Sequence, residues 1–359
     1  MRDSDRGTID VHKRMTNEYK DKKILVTGGT GSIGSEIVRQ LLEKDPAQIR
    51  IYARDEGKHA SLMREIGTDE RLRYLIGDIR DKERLMLAME GVDIVFHAAA
   101  MKHVDICERN PFEAVKTNVG GTQNVIDCAF AHNVEKVVGI STDKAANPTN
   151  VMGTTKLLAE KLMLSSFFYK GDKRTTFSCV RFGNVLWSRG SVLPHFVEQI
   201  RRGEPITLTD PSMTRFFLSI PQAVSLVFRA ASMMQEREIF VLKMPAARMG
   251  DIVAALEEIL RKDRTILLPH PVSIVGAKEG ERTHEKLLTE EESENALETN
   301  DMYIILPNYT SGPARPQLSY PKAKKATYGE FTSETTKLLS IPEIRDMLSE
   351  GETRSILGL

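Results

Sequence analysis

Hydrophobic and polar positions alternate in blocks along the first half of the chain. From Lys23, the short β-branched runs ILVTG, QIRIYAR, RYLIGD and DIVFHAAA are separated by helix-length segments such as SEIVRQLLEK. This alternation predicts parallel strands joined by helical crossovers, and the near-continuous apolar character predicts strands covered on both faces. A helix-length stretch from Pro111 to His132 leads into VEKVVGIS, and another from Val151 to about Tyr169 leads into TFSCVRFGNV, so six or seven strands are expected. The fold class is α/β, a doubly wound parallel sheet. After Asn184 the pattern changes: Gly and Pro recur in SRGSVLPHF, RRGEPITLTDPSMTRFF and LKMPAARMGD, predicting shorter elements in a smaller C-terminal lobe over the carboxyl edge of the sheet. The expected organisation is a polar tail at 1–20, the sheet domain at 21–185, a second lobe mainly at 186–330 with some return to the core, and a C-terminal helical extension at 331–359.

The sharpest local feature is Thr27-Gly28-Gly29-Thr30-Gly31-Ser32-Ile33-Gly34, which follows a strand and opens a helix. Gly28 suits a tight turn, Gly31 a close backbone approach to a diphosphate, and Gly34 close packing of helix on strand. The helix N-terminus then faces the phosphates of a dinucleotide, which makes the sheet Rossmann-type. The second strand ends in Tyr52-Ala53-Arg54-Asp55, where the adenosine ribose is selected. An acid such as Asp55 accepts from a free 2′-hydroxyl, whereas Arg54 with Lys58 pairs with a 2′-phosphate. Arg54 stands directly after the strand, so NADP is expected and NAD is the alternative. Asp78 and Ile79, after the third strand, are candidates for the adenine edge, with a helix cap as the other reading of Asp78. The small side chains of Ala98, Ala99 and Ala100 close the fourth strand, as a backbone lying against a cofactor requires.

Composition narrows the partners. The chain has 359 residues, and its 50 Lys plus Arg balance 50 Asp plus Glu, so no global field favours nucleic acid or an anionic membrane. Cys107, Cys128 and Cys179 lack the spacing of a zinc site or disulfide framework, so no metal is expected and a reducing, cytoplasmic setting fits. No run approaches the roughly 18 apolar residues of a spanning helix, and the polar start lacks a signal-peptide core.

Ser141-Thr142-Asp143-Lys144 stands at the end of the fifth strand, and a helix eight residues beyond Lys144 carries Met152-Gly153-Thr154-Thr155-Lys156. Carboxyl ends of strands face the ligand crevice in open α/β sheets, so an acid beside a lysine here is a site candidate. With TGGTGSIG, AAAMKHVDICERNPFEAVKTNVGGTQNV, STDKAANPTNVMGTTK, RFGNV and DPSMTRFF, the chain from about Lys23 to Leu288 resembles the extended short-chain dehydrogenase/reductases. Within them it is similar to the nucleotide-sugar 4,6-dehydratases of polysaccharide biosynthesis. One departure is Met152, where the superfamily carries a Tyr that deprotonates the sugar hydroxyl. A thioether cannot act as that base. The same Met occurs in one branch of the UDP-N-acetylglucosamine 4,6-dehydratases.

The resemblance implies a closed redox cycle on a nucleotide sugar: oxidation at C4, loss of water across C5 and C6, and hydride return to C6. It implies Lys144 as the base at C5, provided that burial and neighbouring cations lower its pKa, and Asp143 as the acid for the departing C6 hydroxyl. Lys156 is expected at the nicotinamide ribose and the C4 oxygen, and Thr142 at O4, where it relays a proton in place of the missing Tyr. Lys102 and His103 are implied in the sugar pocket and Asn184 with Val185 at the substrate diphosphate. Arg215 is the implied diphosphate clamp and Glu285 a uridine contact, in a segment drifted from the family form. Asn118 reads as support behind the site. A homo-oligomer is expected. The alternatives are a UDP-sugar 4-epimerase, a GDP-sugar 4,6-dehydratase, and a non-catalytic NAD(P)-binding protein that lost its Tyr.

Overall fold

The computed structural model describes residues 18–261, 269–277, 280–307 and 318–349. The expected tail up to residue 17, Glu279 and the end of the expected extension from residue 350 lie outside the described residues. The first half alternates as its patterning requires: β1 (Lys23–Thr27), α1 (Ser32–Leu42), β2 (Gln48–Ala53), α2 (Glu56–Ile66), β3 (Leu72–Ile76), α3 (Lys82–Met89) and β4 (Ile94–His97). It continues through α4 (Gly121–Ala131), β5 (Lys136–Ile140), α5 (Val151–Ser165) and β6 (Thr176–Arg181). The helices start where side chains accept from free amides: Asp55 from Lys58 at α2, Asp81 from Arg84 at α3 and Asn150 from Gly153 at α5. The helical stretch from Pro111 runs into α4 through a π-helical segment, Val115–Gly120, which turns Asn118 inward.

Beyond the second lobe's α6 (Val192–Arg202), the chain returns to the core with α7 (Ile220–Met233) and β7 (Ile239–Leu242). After α8 (Met249–Leu260) come β8 (Ala296–Glu298), β9 (Met302–Ile305) and β10 (Lys324–Lys325), and α9 (Ile341–Leu348) closes the described chain. The large sheet has ten strands in the order β10-β8-β9-β7-β6-β5-β4-β1-β2-β3. Seven of them, β3 to β7 across that order, are parallel, in line with the six or seven expected. The antiparallel β9, β8 and β10 extend the edge, a return by short runs that carry too little pattern to be read from sequence. The order reverses between β1 and β4, so loops leave that point in opposite directions and open a crevice at the carboxyl edge.

Two apolar clusters follow from this path. The larger lies under the sheet and its helices, and the smaller joins α6, α8 and α9 in the second lobe. Ile344 and Leu348 of α9 are fully buried there, so the C-terminal helix is part of that lobe's core. The expected polar tail also ends in the core: Tyr19 is buried against Phe96 and Phe228, and its hydroxyl donates to the Phe228 carbonyl at 3.4 Å. A single aromatic in a polar run carries no periodicity, which is why sequence placed it in the tail. No helix among the described residues is long and apolar enough to cross a membrane.

Candidate active site

A cleft of about 780 Å³ runs along the carboxyl edge of the sheet beneath the second lobe. Of the site residues expected from sequence, all line it except Asp143 and Glu285. At its centre is the glycine-rich turn. Gly28 has φ +66° and its Cβ position lies 2.7 Å from the Ala99 nitrogen; a Cβ on Gly34 would lie 2.3 Å from the Gly28 carbonyl. A Cβ on Gly31 would meet only the Gly28 carbonyl at 3.1 Å, leaving its other side open to the cleft. The turn is therefore a bare backbone cradle at the N-terminus of α1, which fits a dinucleotide diphosphate.

The Ala98–Ala100 wall is braced from behind by groups that sequence reading missed. Thr122 donates to the Asn118 carbonyl (2.6 Å), so it accepts from His97 Nε2 (3.1 Å), and Nδ1 accepts from Thr27 (2.7 Å). This network assigns the neutral tautomer. Burial and then the Lys156 charge push the His97 pKa down to about 3. Asn118 bridges the Met101 amide (2.8 Å) and carbonyl (3.0 Å) and Thr155 (3.0 Å), the supporting role expected of it.

At the adenosine end, Asp55 is occupied as the cap of α2 and pairs with Lys58 at 3.5 Å, while Arg54 lies 3.9 Å from Asp78. Arg54 and Asp55 are not partners of each other. Asp78 is not a helix cap either. Arg80 grips its carboxylate at 2.7 Å, and although burial opposes the charge, that guanidinium holds the carboxyl below its usual range. Arg54 and Lys58 keep more than half their side-chain surface exposed on the cleft.

The catalytic constellation stands where β5 ends. Lys156, on α5, is buried and donates to the Ile140 carbonyl at 2.7 Å; burial lowers its pKa. Met152 is 4% exposed, packed with Cys107 and Ala114, and lines the cleft with a thioether in place of the Tyr phenol that the resemblance implies. Thr142, on the cleft wall, donates to Asp143 Oδ1 at 2.7 Å, and Lys144 Nζ lies 3.1 Å from the same oxygen. Asp143 itself is fully buried behind them, and its Oδ2 has no hydrogen-bond partner among the described residues. Thr142 and Lys144 thus stand between the Asp143 carboxylate and the cleft.

One correction concerns the charge of Lys144. Burial alone would lower the lysine pKa, but Asp143 and Glu285, the latter at 3.2 Å, outweigh it and the pKa is raised. The condition for a free base is not met in this arrangement. Glu285 is 4% exposed and lies between Lys144 and Arg215, whose Nε is 3.6 Å away, so it is a buried counter-charge. Arg215 also pairs with Glu281 at 3.2 Å and donates to the Thr214 and Thr283 carbonyls. The chain Glu281–Arg215–Glu285–Lys144–Asp143 thus alternates in sign. Its members come from three distant segments, which is why spacing did not reveal it.

On the opposite wall, Asn184 and Val185 pair with the strand Thr214–Leu218 and place Arg215 beside them. Lys102 donates to the Arg189 carbonyl at 2.6 Å, and His103 packs against Gly190. Ser141 is a further missed residue: its Oγ is buried on the cleft wall without a partner among the described residues.

A dinucleotide cradle at the switch point, with an Asp–Lys pair and a helix lysine over the carboxyl edge, defines an enzyme of the short-chain dehydrogenase/reductase type with a Rossmann-type fold. The model of the polysaccharide biosynthesis protein family matches residues 24–307, and the chain belongs to that family of nucleotide-sugar dehydratases and epimerases. The chain is 49% identical over 337 residues, 94% of this chain and 98% of the relative, to a Methanocaldococcus jannaschii protein named an uncharacterized membrane protein. It is 42% identical, over 81% of this chain and 84% of the relative, to a Campylobacter jejuni UDP-N-acetylglucosamine 4,6-dehydratase (inverting). It is 38% identical to a Rickettsia canadensis protein named UDP-glucose 4-epimerase, over 92% and 96% of the two chains. Among solved structures, Pen from Bacillus thuringiensis superposes with a TM-score of 0.84 at 42% identity, covering 92% of this chain and 98% of that one. A Streptomyces venezuelae dTDP-glucose 4,6-dehydratase with NAD bound shares the fold at 24% identity, with a TM-score of 0.63 over 73% of this chain and 86% of that one.

Proposed function

We propose that this protein is a UDP-N-acetylglucosamine 4,6-dehydratase that forms a UDP-4-keto-6-deoxy-N-acetylhexosamine for surface glycan synthesis, with NADP as its resident cofactor. The observation that carries the reading is the Asp143–Lys144 pair on the Thr142 hydroxyl, 3.1 and 2.7 Å from one carboxylate oxygen, at the edge where the sugar would lie. An epimerase needs no such acid–base pair. The nicotinamide, when bound, supplies hydride acceptance at C4 and hydride return at C6. Lys156 holds the nicotinamide ribose and places positive charge beside the C4 oxygen, and the proton of the C4 hydroxyl leaves through Thr142 to water as the hydride departs. The ion pair becomes the elimination pair when the proton on Lys144 crosses its hydrogen bond to Asp143. The neutral amine then takes the C5 proton, made acidic by the C4 ketone, and Asp143 delivers its proton to the departing C6 oxygen through Thr142. Arg215 turns toward the substrate diphosphate between Asn184 and Val185. The exposed Arg54 and Lys58, beside an Asp55 already occupied as a cap, favour the 2′-phosphate of NADP over NAD.

The second reading is a UDP-sugar 4-epimerase, favoured by the name of the Rickettsia relative. Incubation with UDP-N-acetylglucosamine in deuterated water, followed by proton NMR, separates them. A 6-deoxy methyl signal with deuterium at C5 is the expected result. Interconversion at C4 without deuterium at C5 would establish the epimerase. Asp143→Asn is expected to lower water loss by about 10²–10⁴-fold while the bound cofactor stays at wild-type occupancy.

A further inference from the structure

The loop from Leu186 to Ser191 leaves the second lobe and crosses the cleft above the glycine-rich turn. Arg189 is held there from both sides: its amide donates to Ser32 Oγ at 3.0 Å, and its carbonyl accepts from Lys102 Nζ at 2.6 Å. Its guanidinium donates to the Thr30 carbonyl. The backbone is bent to this path by two residues in the left-handed region, Trp187 at φ +58° and Gly190 at φ +70°. A Cβ on Gly190 would lie 2.4 Å from His103 Cε1, so the loop is seated directly on the loop that follows β4.

Charge points the same way. TGGTGSIG contains no cation, and a dinucleotide diphosphate carries two negative charges. Four other cleft cations have carboxylate partners: Lys144 and Arg215 pair with Glu285, Arg54 with Asp78 and Lys58 with Asp55. Among the described residues no ion pair joins Arg189 or Lys102 to an acid. The two cations instead stand together, and the Lys102 pKa is lowered by burial and by the Arg189 charge. A diphosphate on the turn offers the guanidinium a charged, two-pronged acceptor in place of one neutral carbonyl.

We propose that Arg189 is a cofactor ligand supplied by the second lobe, its guanidinium roofing the dinucleotide diphosphate on the glycine-rich turn and retaining the cofactor between turnovers. The proposal rests on the nicotinamide-cofactor reading and not on which sugar is converted. A closed redox cycle returns the cofactor to its starting state, so a strap that blocks release costs the enzyme no turnover.

The test uses the full-length protein loaded with nicotinamide dinucleotide, and follows release into an excess of radiolabelled cofactor. Arg189→Gln, which keeps length and removes charge, is expected to release at least about tenfold faster than wild type, with Lys102→Ala in between. Arg189→Lys is expected to fall between wild type and Gln. Release from wild type should also quicken with salt more steeply than release from Arg189→Gln, a difference that a merely structural role would not produce. Release from Arg189→Gln within twofold of wild type, with an unchanged circular dichroism spectrum, would overturn the proposal. If the Gln variant does not fold, Arg189→Lys released at the wild-type rate and with the wild-type salt dependence overturns it equally. None of these readouts requires turnover of a nucleotide sugar, so failure of the dehydratase assignment would leave them intact.

Discussion

At the scale of single residues, the site is governed by who shares a charge with whom. Lys144 sits between Asp143 and Glu285, with Arg215 opposing from the far side of Glu285. Because the proposed elimination needs the one proton that Lys144 and Asp143 share, activity should be lost where rising pH removes it. Glu285→Gln removes one of the two carboxylates that hold the proton, so the descending limb of the kcat profile is expected at lower pH than in wild type. A limb that stays put would show that Glu285 does not govern the Lys144 charge. His97 makes the opposite kind of prediction. Its folded-state pKa of about 3 lies below the unfolded value of about 6.5. The stabilisation is complete above about pH 6.5 and is lost as pH falls toward 3, by up to about 1.4 kcal/mol per pH unit. Urea unfolding between pH 7.5 and 5 should show this loss in wild type and a shallower one in His97→Gln. The residue types of the Asp–Lys pair were readable in sequence because they are adjacent in the chain. The pairing of Glu285 could not be read because its partners lie 70 and 141 positions away, at Arg215 and Lys144.

At the scale of elements, the strand–turn–helix unit β1–α1 is the most sequence-legible part of the molecule. Three of its four glycines, Gly28, Gly31 and Gly34, answer separate steric demands, and the tightest is Gly34. An added methyl there, 2.3 Å from the Gly28 carbonyl, must push α1 away from the turn. Gly34→Ala is expected to cost about 1–3 kcal/mol of stability and to strip cofactor from the purified protein, read by urea unfolding and by absorbance of the bound nicotinamide. The π-helical turn before α4 was invisible by contrast. It arises because Asn118 must reach the Met101 backbone and Thr155 at once, a demand set by the neighbours and not by local propensity.

At the scale of the molecule, the returning segment after the second lobe is locked to the catalytic helix by charge. Arg181, fully buried at the end of β6, meets Glu160 of α5 at 2.8 Å, Glu292 at 2.9 Å and the Leu287 carbonyl at 3.0 Å. Glu160 is one turn beyond Lys156, and Leu287 follows Glu285 by two residues, so this buried knot holds both sides of the active site. Arg181→Ala strands Glu160 as an unpaired buried acid and is expected to destabilise by about 3–5 kcal/mol, measured by urea unfolding. Glu292→Gln, whose partner keeps Glu160, should cost less. The returning segment is therefore tied to the sheet by the ion pairs of Arg181, whereas the loop at the cleft mouth reaches the glycine-rich turn through the hydrogen bonds of Arg189.

The sequence by itself determined the parallel core, the dinucleotide turn, the Asp–Lys pair and the Met in place of Tyr, because each is written in adjacent residues or in a period that local geometry enforces. Only the tertiary structure decided that Asp143 lies behind Thr142, that Glu285 is a counter-charge, that Tyr19 belongs to the core, and that three antiparallel strands complete the sheet. The physical reason is common to all four. Burial and electrostatic pairing depend on which distant segments meet, and a Coulombic partner or a packing neighbour leaves no mark on the sequence around the residue it controls.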